Sequence, residues 1–273
     1  VNVKKLLSRA VELCPREWSF WETLINLSSY EESKKIMNRA RKSLASPQIT
    51  QKVWISAVKL EERENGSIST AKLVKLLHKA YKEASLGTFS WLEAASVAET
   101  ENFPLSCHAI VEVAMENAEE TVETLLEVVE RYTNRFPKTA TSILRGIAVK
   151  HPNDLDIWFR LVKFLKEKKS DELQLFSLYD KAIELNSEEP LFWLMKAKDL
   201  WKIKNEVVEA KETLLEAIKH FESSEDVWFA LVKLEYLGLL NLEGAIEYLK
   251  KALEALGPVS PRVWYKHIHL LRC

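Results

Sequence analysis

Apolar residues recur at three- and four-residue intervals along most of this chain, over stretches of 12 to 16 residues. That spacing is typical of amphipathic α-helices that bury one stripe of side chains. In the segment 228–235, for example, Trp228, Leu231 and Val232 fall on neighbouring turns of one face. Glycine and proline, with 6 and 8 copies in 273 residues, are too rare for a fold of short strands and tight turns. The pattern therefore predicts an all-α fold.

Seven of the nine tryptophans recur at a nearly constant period. Their successive gaps are 33 to 37 residues, apart from one gap of 67, which is about two periods, and Leu125 occupies the skipped place. A period of this length indicates a repeating unit of two helices. The positions of this series are Trp21, Trp54, Trp91, Leu125, Trp158, Trp193, Trp228 and Trp264.

Alanines form a second series with the same period, at spacings of 30 to 40 residues. Each alanine precedes the next tryptophan position by 10 to 14 residues, so the two series stay in phase. We interpret the tryptophan as filling the wide space between hairpins and the alanine as letting two helices cross closely. The positions of this series are Ala10, Ala40, Ala80, Ala114, Ala148, Ala182, Ala217 and Ala252.

The two series predict the order of the helices. They give a lone helix at 2–13, seven full helix hairpins, and a last helix at 260–271, which makes sixteen helices. A single hairpin cannot bury both of its apolar stripes, so we expect the hairpins to stack into a right-handed α-solenoid of antiparallel helices. No long linker interrupts the pattern, which predicts one superhelical domain over 1–273. Because the chain opens on Val1 without an initiator methionine, we interpret it as a fragment of a longer protein.

Charge is unevenly distributed, although the net charge is only −1. Residues 1–82 carry a net charge of +8 and residues 83–250 a net charge of −12. This polarity favours several charged partners along the chain over one basic face built for nucleic acid.

The sequence contains no recognisable catalytic, cofactor-binding or metal-binding motif. The six glycines form no phosphate-binding loop, and no histidine is paired with a nucleophile by a recognisable motif. The three cysteines match no metal-ligand spacing. We therefore predict no catalytic residue, no cofactor, no metal site and no enzymatic activity.

Two tryptophans fall outside the repeat, Trp18 and Trp201. Either they are surface anchors for a partner, or they pack at the end of a hairpin, as amphipathic aromatic residues often do.

The densest cluster of basic residues consists of Lys34, Lys35, Arg39, Arg41 and Lys42. Three of the five, Lys35, Arg39 and Lys42, share one helical face. The cluster is either a solvated outer face with Glu31 and Glu32 as local partners, or a docking patch for an acidic protein segment or an RNA backbone.

Two features of the repeat resemble a known family. The tetratricopeptide repeat has a glycine four residues after its tryptophan. In this chain no tryptophan of the periodic series is followed by a glycine at that distance. Instead, Trp54 and Trp228 are followed seven residues later by Glu61 and Glu235, and Ala40, like other alanines of its series, directly follows a basic residue. This combination resembles the half-a-TPR (HAT) repeat, a family that implies RNA-processing scaffolds.

Within that family the chain resembles the pre-mRNA-processing factors of the spliceosomal tri-snRNP. The resemblance lies in the segments 32–41, 53–62, 193–201 and 223–235. It implies a nuclear, non-enzymatic scaffold that bridges snRNP proteins, with RNA contact secondary and with no membrane or small-molecule substrate. Two alternatives stay open: a HAT scaffold of another pathway such as 3′-end processing, which often dimerises, and a tetratricopeptide cochaperone that clamps peptides.

Overall fold

The computed structural model describes residues 2–44, 46–64, 66, 68–167, 172–257 and 261–271. Those residues contain sixteen α-helices and no β-strand. The helices are α1 (Asn2–Leu13), α2 (Trp18–Asn26), α3 (Tyr30–Ser43), α4 (Pro47–Glu64), α5 (Thr70–Ala84), α6 (Thr88–Thr100), α7 (Pro104–Glu116), α8 (Val122–Tyr132), α9 (Pro137–Lys150), α10 (Leu155–Glu167), α11 (Glu172–Leu185), α12 (Pro190–Asp199), α13 (Val207–His220), α14 (Glu225–Leu237), α15 (Leu242–Leu256) and α16 (Pro261–Leu271). A short π-helical segment, Leu200–Lys204, continues α12.

The order of these helices confirms the predicted fold class, an all-α helical repeat. Helix α1 stands alone, seven hairpins follow from α2–α3 to α14–α15, and α16 opens a further unit. We call the tryptophan-bearing helix of each hairpin the A helix and the alanine-bearing helix the B helix. None of the described helices combines the length and the apolar composition needed to cross a bilayer.

Contacts divide the chain into two compact units, Val1–Phe164 and Leu165–Cys273, which we describe separately. In the first unit, the two helices of each hairpin pack on one another, and the B helices α5, α7 and α9 also pack side by side. Helix α7 lies deepest, with eight of its thirteen residues buried, among them Cys107 and Ala114. In the second unit, a core around Trp228, Leu249 and Val263 joins helices α14, α15 and α16. A single superhelical domain over 1–273 and its right-handed sense stay predictions.

The alanines of the second series lie at helix contacts. Seven of the eight are at most 1% exposed, namely Ala40, Ala80, Ala114, Ala148, Ala182, Ala217 and Ala252. Ala10, on α1, is half-buried. A methyl group with no exposed surface leaves no room for a larger side chain, so these positions are where neighbouring helices approach closely.

The tryptophan positions differ more in burial. Four of the tryptophans and Leu125 are at most 6% exposed, whereas Trp54 and Trp193 are half-buried and Trp264 is 44% exposed. Three of the four buried indoles also donate a hydrogen bond to the loop before their helix. Nε1 of Trp21 donates to the carbonyl oxygen of Pro15 at 2.8 Å, and Nε1 of Trp158 and Trp228 donates to the carbonyl six residues earlier at 3.0 and 2.8 Å. The indole therefore fixes the angle between its A helix and the preceding loop as well as filling space.

Carboxylates of two A helices bind the start of a later B helix. Glu62 of α4 accepts hydrogen bonds from the N–H groups of Leu105 and Ser106 in the first turn of α7, at 3.0 and 2.7 Å. Glu99 of α6 does the same at the start of α9, where Thr139 donates its N–H at 2.8 Å. A carboxylate satisfies the unpaired N–H groups of a helix start and interacts favourably with the helix dipole. These contacts join each hairpin to the next.

Candidate binding groove

The A helices of the first unit line an open groove of about 500 Å³. Helix α2 contributes Trp18 and Glu22 to its wall, α4 contributes residues from Gln51 to Lys59, and α6 contributes residues from Ser90 to Val97. The sequence left open which helix of each hairpin would line such a surface. In this part of the chain it is the A helix.

The wall of the groove is partly apolar. Trp18 begins α2 and is half-buried, Ile55 is buried beneath the wall, and Val97 is 46% exposed although it is apolar. Exposed apolar surface at the bottom of a groove is available to an apolar side chain of a partner. Trp18, an anchor candidate from the sequence, lines this groove and also packs against the hydrophobic core around Trp21, so both interpretations of this residue stay open.

Gln51 is the most unusual polar residue of the groove. Its side chain is only 6% exposed, and its Oε1 accepts a hydrogen bond from Oγ of Ser90 at 3.1 Å. Its Nε2 has no hydrogen-bond partner among the residues that the structure describes. A buried donor without an acceptor costs about 1–3 kcal/mol. Because Nε2 has almost no exposed surface, the side-chain amide would have to rotate before a carbonyl oxygen of a bound polypeptide could accept from it.

The charges of the groove are mixed. Nζ of Lys59 lies 2.7 Å from Oε2 of Glu101, and 5.9 Å from the ring centre of Phe103. Glu22 and Glu93 stand on the opposite walls. This mixture offers partners to both charges of a peptide and does not favour the uniformly negative backbone of a nucleic acid.

A second depression of about 690 Å³ continues along α6 to α8. Phe89, which is 48% exposed, and Val97 contribute from α6. Tyr132 and Phe136 meet edge to face on the other side, with ring centres 5.3 Å apart. Burial raises the pKa of Tyr132 above its usual value, so this hydroxyl stays neutral. Aromatic surface thus extends the groove from α6 to α8 and to the loop that follows α8.

The basic cluster on α3 is largely engaged by carboxylates of neighbouring helices. Nζ of Lys34 lies 3.1 Å from Glu61 of α4, and Tyr30 donates its hydroxyl to the same carboxylate at 2.6 Å. Lys34 also donates to the Tyr30 hydroxyl, and this hydrogen bond, together with Glu61, raises the pKa of Lys34. Lys34 is therefore a charged, partnered residue of the hairpin contact.

Two arginines of the cluster bridge the B helices. Arg39 lies 3.7 Å from Glu12 of α1, and Arg41 lies 3.6 Å from Glu83 of α5. The guanidinium of Arg41 also lies 5.6 Å from the ring centre of Trp54, whose Nε1 donates to Glu83 at 2.8 Å. Exposed ion pairs of this kind contribute about 0–1 kcal/mol each to the stability of the fold. They also make the charges of the two arginines less available to a binding partner.

Lys35 and Lys42 are exposed and form no ion pair within the described part of the chain. They are seven residues apart and share one face of α3. Of the five cations, these two are the ones that stay available to a partner.

Trp201 belongs to the second unit, in the π-helical segment that follows α12. Its side chain is half-buried, and Nζ of Lys202 lies 3.6 Å from the ring centre. A cation at that distance over an indole is a favourable contact, which keeps one face of the ring covered.

Groups that could hold a metal ion are not found in the described ranges: no three histidine, cysteine, aspartate or glutamate side chains converge.

Sequence reasoning missed Gln51, although the repeat contained a signal for it. Trp18 and Gln51 both stand three residues before a tryptophan position, Trp21 and Trp54. They are therefore equivalent residues of successive repeats and project from the same side of their A helices. Aligning the repeats on the tryptophans would have placed Gln51 in line with Trp18.

Comparison with known proteins gives one relative by sequence. No protein-family model matches the chain. Pre-mRNA-splicing factor 6 of Saccharomyces cerevisiae is 27% identical over 273 aligned positions, which cover 90% of this chain. The chain spans 30% of the length of that relative.

Solved structures with a similar fold are helical-repeat proteins. YrrB, a TPR protein, is 17% identical and matches 71% of this chain and 97% of its own, with a TM-score of 0.37. Yeast Tom70 is 15% identical and matches 99% of this chain and 57% of its own, with a TM-score of 0.36. Likenesses at these TM-scores say nothing about function.

The sequence match confirms the resemblance to the HAT repeats of pre-mRNA-processing factor six. It extends along 90% of the chain. The chain is thus a helical-repeat protein of the HAT and tetratricopeptide type, similar to pre-mRNA-splicing factor 6.

Proposed function

We propose that this chain is a non-enzymatic scaffold of pre-mRNA splicing that bridges protein components of the tri-snRNP in the nucleus. The observation that carries the proposal is the 27% identity with pre-mRNA-splicing factor 6 along 90% of the chain. A stack of helix hairpins offers a long surface with little chemistry of its own, which suits a scaffold.

The groove along α2, α4 and α6 is the surface that we assign to a protein partner. An extended segment lying there would meet the apolar surface of Trp18 and Val97, and its backbone would give Gln51 the acceptor that it lacks once the side-chain amide rotates towards the groove. Backbone hydrogen bonds with alternate side-chain pockets are a common way to bind an extended peptide.

The charges support a protein as the main partner and RNA as a secondary one. Three cations of the basic cluster already face carboxylates at 3.1 to 3.7 Å. Of the five cations of that cluster, Lys35 and Lys42 stay available for a phosphate or an acidic segment. Two exposed lysines give weak and strongly salt-dependent nucleic-acid binding.

Photocrosslinking tests the proposal directly. A photoreactive phenylalanine analogue replaces Val97 in the groove or, as the matched control, Val149 on α9, because these valines are 46% and 45% exposed. The tagged chain is irradiated in nuclear extract, and the crosslinked proteins are identified by mass spectrometry. We expect tri-snRNP proteins to crosslink at Val97 and not at Val149.

Two results would contradict the proposal. Equal crosslinking at the two positions would remove the groove as the binding surface. Crosslinks at Val97 only to 3′-end-processing factors, with a dimer mass by light scattering, would place the scaffold in a different pathway.

A Gln51→Leu variant, which removes the buried amide, is expected to weaken the Val97 crosslink.

A further inference from the structure

Two loops of the second unit lie against each other and carry exposed apolar side chains. One loop joins the π-helical segment to α13, and the other joins α14 to α15. Cγ1 of Val207 lies only 3.0 Å from the place that a Cβ on Gly238 would occupy, so the loops are in contact. We call the exposed apolar residues in these loops and at the adjoining helix ends the apolar edge: Ile203 (43% exposed), Val208 (65%), Leu237 (50%), Leu239 (36%) and Leu240 (83%).

Leu240 has an unfavourable backbone conformation as well as an exposed side chain. Its φ is 53°, in the left-handed region, where glycine or asparagine is the usual residue. The loop is held in place by Asn241, whose N–H donates to the carbonyl of Glu235 at 2.9 Å and whose Oδ1 accepts from the N–H of Gly244 at 3.0 Å. Folding therefore gains nothing from a leucine here: the residue is strained, and its apolar side chain stays in water.

The neighbouring loop is irregular too. The π-helical turn Leu200–Lys204 closes with the N–H of Glu206 donating to the carbonyl of Leu200 at 3.0 Å, and Asn205 then adopts a φ of 59°. Such turns insert an extra residue into a helix and are frequent at functional sites. Ile203 reaches the surface within this turn.

Carboxylates at the starts of α13 and α15 neighbour the apolar edge, and Lys202 and Lys204 flank Ile203 on the π-helical segment. Glu206 and Glu209 stand on either side of Val207 and Val208, and Glu243 lies in the first turn of α15. Glu206 and Glu209 share a hydrogen bond, which raises the pKa of Glu209. Among the ion pairs of the described residues, one joins a lysine to these carboxylates: Nζ of Lys204 lies 3.4 Å from Oε2 of Glu206. A positively charged side chain of a partner would reduce the repulsion between these carboxylates.

We propose that the apolar edge docks a short segment of a partner protein that presents two or three large apolar side chains flanked by lysine or arginine. The apolar side chains of the segment cover Leu240 and its neighbours, and its basic flanks face Glu206, Glu209 and Glu243. Apolar surface with a charged rim is the usual composition of a protein interface. This surface lies in the second unit and is independent of the groove assigned above.

A pair of synthetic peptides tests the chemistry. Both carry three leucines on one helical face, and they differ only in having lysines or glutamates at their ends; a fluorescein label reports binding to the full chain by anisotropy. We expect the lysine peptide to bind about tenfold more tightly than the glutamate peptide, and its affinity to fall as salt is raised. Equal affinities would overturn the charge argument and with it the proposal.

Leu240→Asn separates binding from folding. Asparagine tolerates the left-handed conformation, so the urea midpoint of the variant should be unchanged or higher, while binding of the lysine peptide falls about tenfold. Val149→Asn, on α9 and outside both surfaces, is the control and should leave peptide binding unchanged. A lower urea midpoint with unchanged binding would show that Leu240 serves the fold, and would overturn the proposal.

A second copy of the chain is the rival occupant of the apolar edge. Sedimentation of the full chain over a range of concentrations distinguishes the two cases. A monomer supports the proposal, and a dimer that Leu240→Asn dissociates would refute it.

Discussion

The carboxylate of Glu62, near the end of α4, accepts two hydrogen bonds from Ser106 in the first turn of α7, from its backbone N–H at 2.7 Å and from its hydroxyl at 2.5 Å. The same relationship recurs one repeat later, where Glu99 of α6 accepts from the N–H and the hydroxyl of Thr139 at 2.8 and 2.7 Å. Each contact ties an A helix to the B helix of the following hairpin. Because the glutamate is nearly buried and charged, it couples neighbouring repeats more strongly than an exposed ion pair would.

Replacing Glu62 by glutamine should therefore destabilise the first unit. Glutamine keeps the size of the side chain but removes the charge, and its amide nitrogen faces N–H donors. We expect a loss of about 1.5–3 kcal/mol in the free energy of unfolding, since hydrogen bonds to charged groups contribute about that much. Urea unfolding followed by tryptophan fluorescence measures the loss.

Glu64→Gln is the control for that experiment, because Glu64 is exposed and lies on the same helix. Its effect should stay within about 0.5 kcal/mol, as for most surface substitutions. If both variants lose the same stability, the contact between Glu62 and Ser106 does not couple the hairpins.

Two buried tryptophans should respond differently to replacement by phenylalanine. Nε1 of Trp21 donates to the Pro15 carbonyl, whereas Nε1 of Trp91 has no hydrogen-bond partner in the described residues. Both substitutions remove similar apolar volume. Trp91→Phe also removes an unsatisfied buried donor, so it should be milder than Trp21→Phe by about 1–3 kcal/mol. Equal urea midpoints would mean that the indole N–H groups do not contribute to stability.

The closeness of the B helices at the alanine positions is also testable. Ala114 has no exposed surface, whereas Ala10 is half-buried on α1. Ala114→Leu should cost about 1–3 kcal/mol or more by forcing helices apart, and Ala10→Leu should cost less than about 1 kcal/mol. Thermal unfolding followed by circular dichroism compares the two variants. Similar losses would show that burial of the methyl group does not limit the approach of the helices.

The number and order of the helices could be predicted from the sequence because both depend on local periodicity. Tryptophans mostly 33 to 37 residues apart and alanines 30 to 40 residues apart are visible without knowing any contact. The A-helix to B-helix contacts could not be predicted, because Glu62 and Ser106 are 44 residues apart and meet only when hairpins stack. The sequence contains one signal for these contacts: Glu62 and Glu99 each lie eight residues after a tryptophan of the periodic series.

The candidate sites were predicted less completely, for two physical reasons. The basic cluster was visible, but Glu12, Glu61 and Glu83, which neutralise much of it, come from other helices. The conformation of Leu240 was hidden, because leucine seldom adopts a positive φ and nothing in the local sequence signals one. Both features depend on how the helices pack in three dimensions. The periodicity of the sequence indicates only which side chains of each helix are buried.

The two described cysteines should differ in reactivity towards a thiol reagent. Cys107, on α7, is 1% exposed, and its burial raises the pKa of the thiol to about 11, whereas Cys14 is exposed. At pH 8 only about one Cys107 in a thousand is then a thiolate, which is the reactive form. In a Cys273→Ser background we expect one thiol to react within minutes and the second only when α7 opens, which urea accelerates. Replacing Cys14 by serine should abolish the fast phase; a fast phase that persists in that variant would mean that α7 is not packed between α5 and α9 in solution.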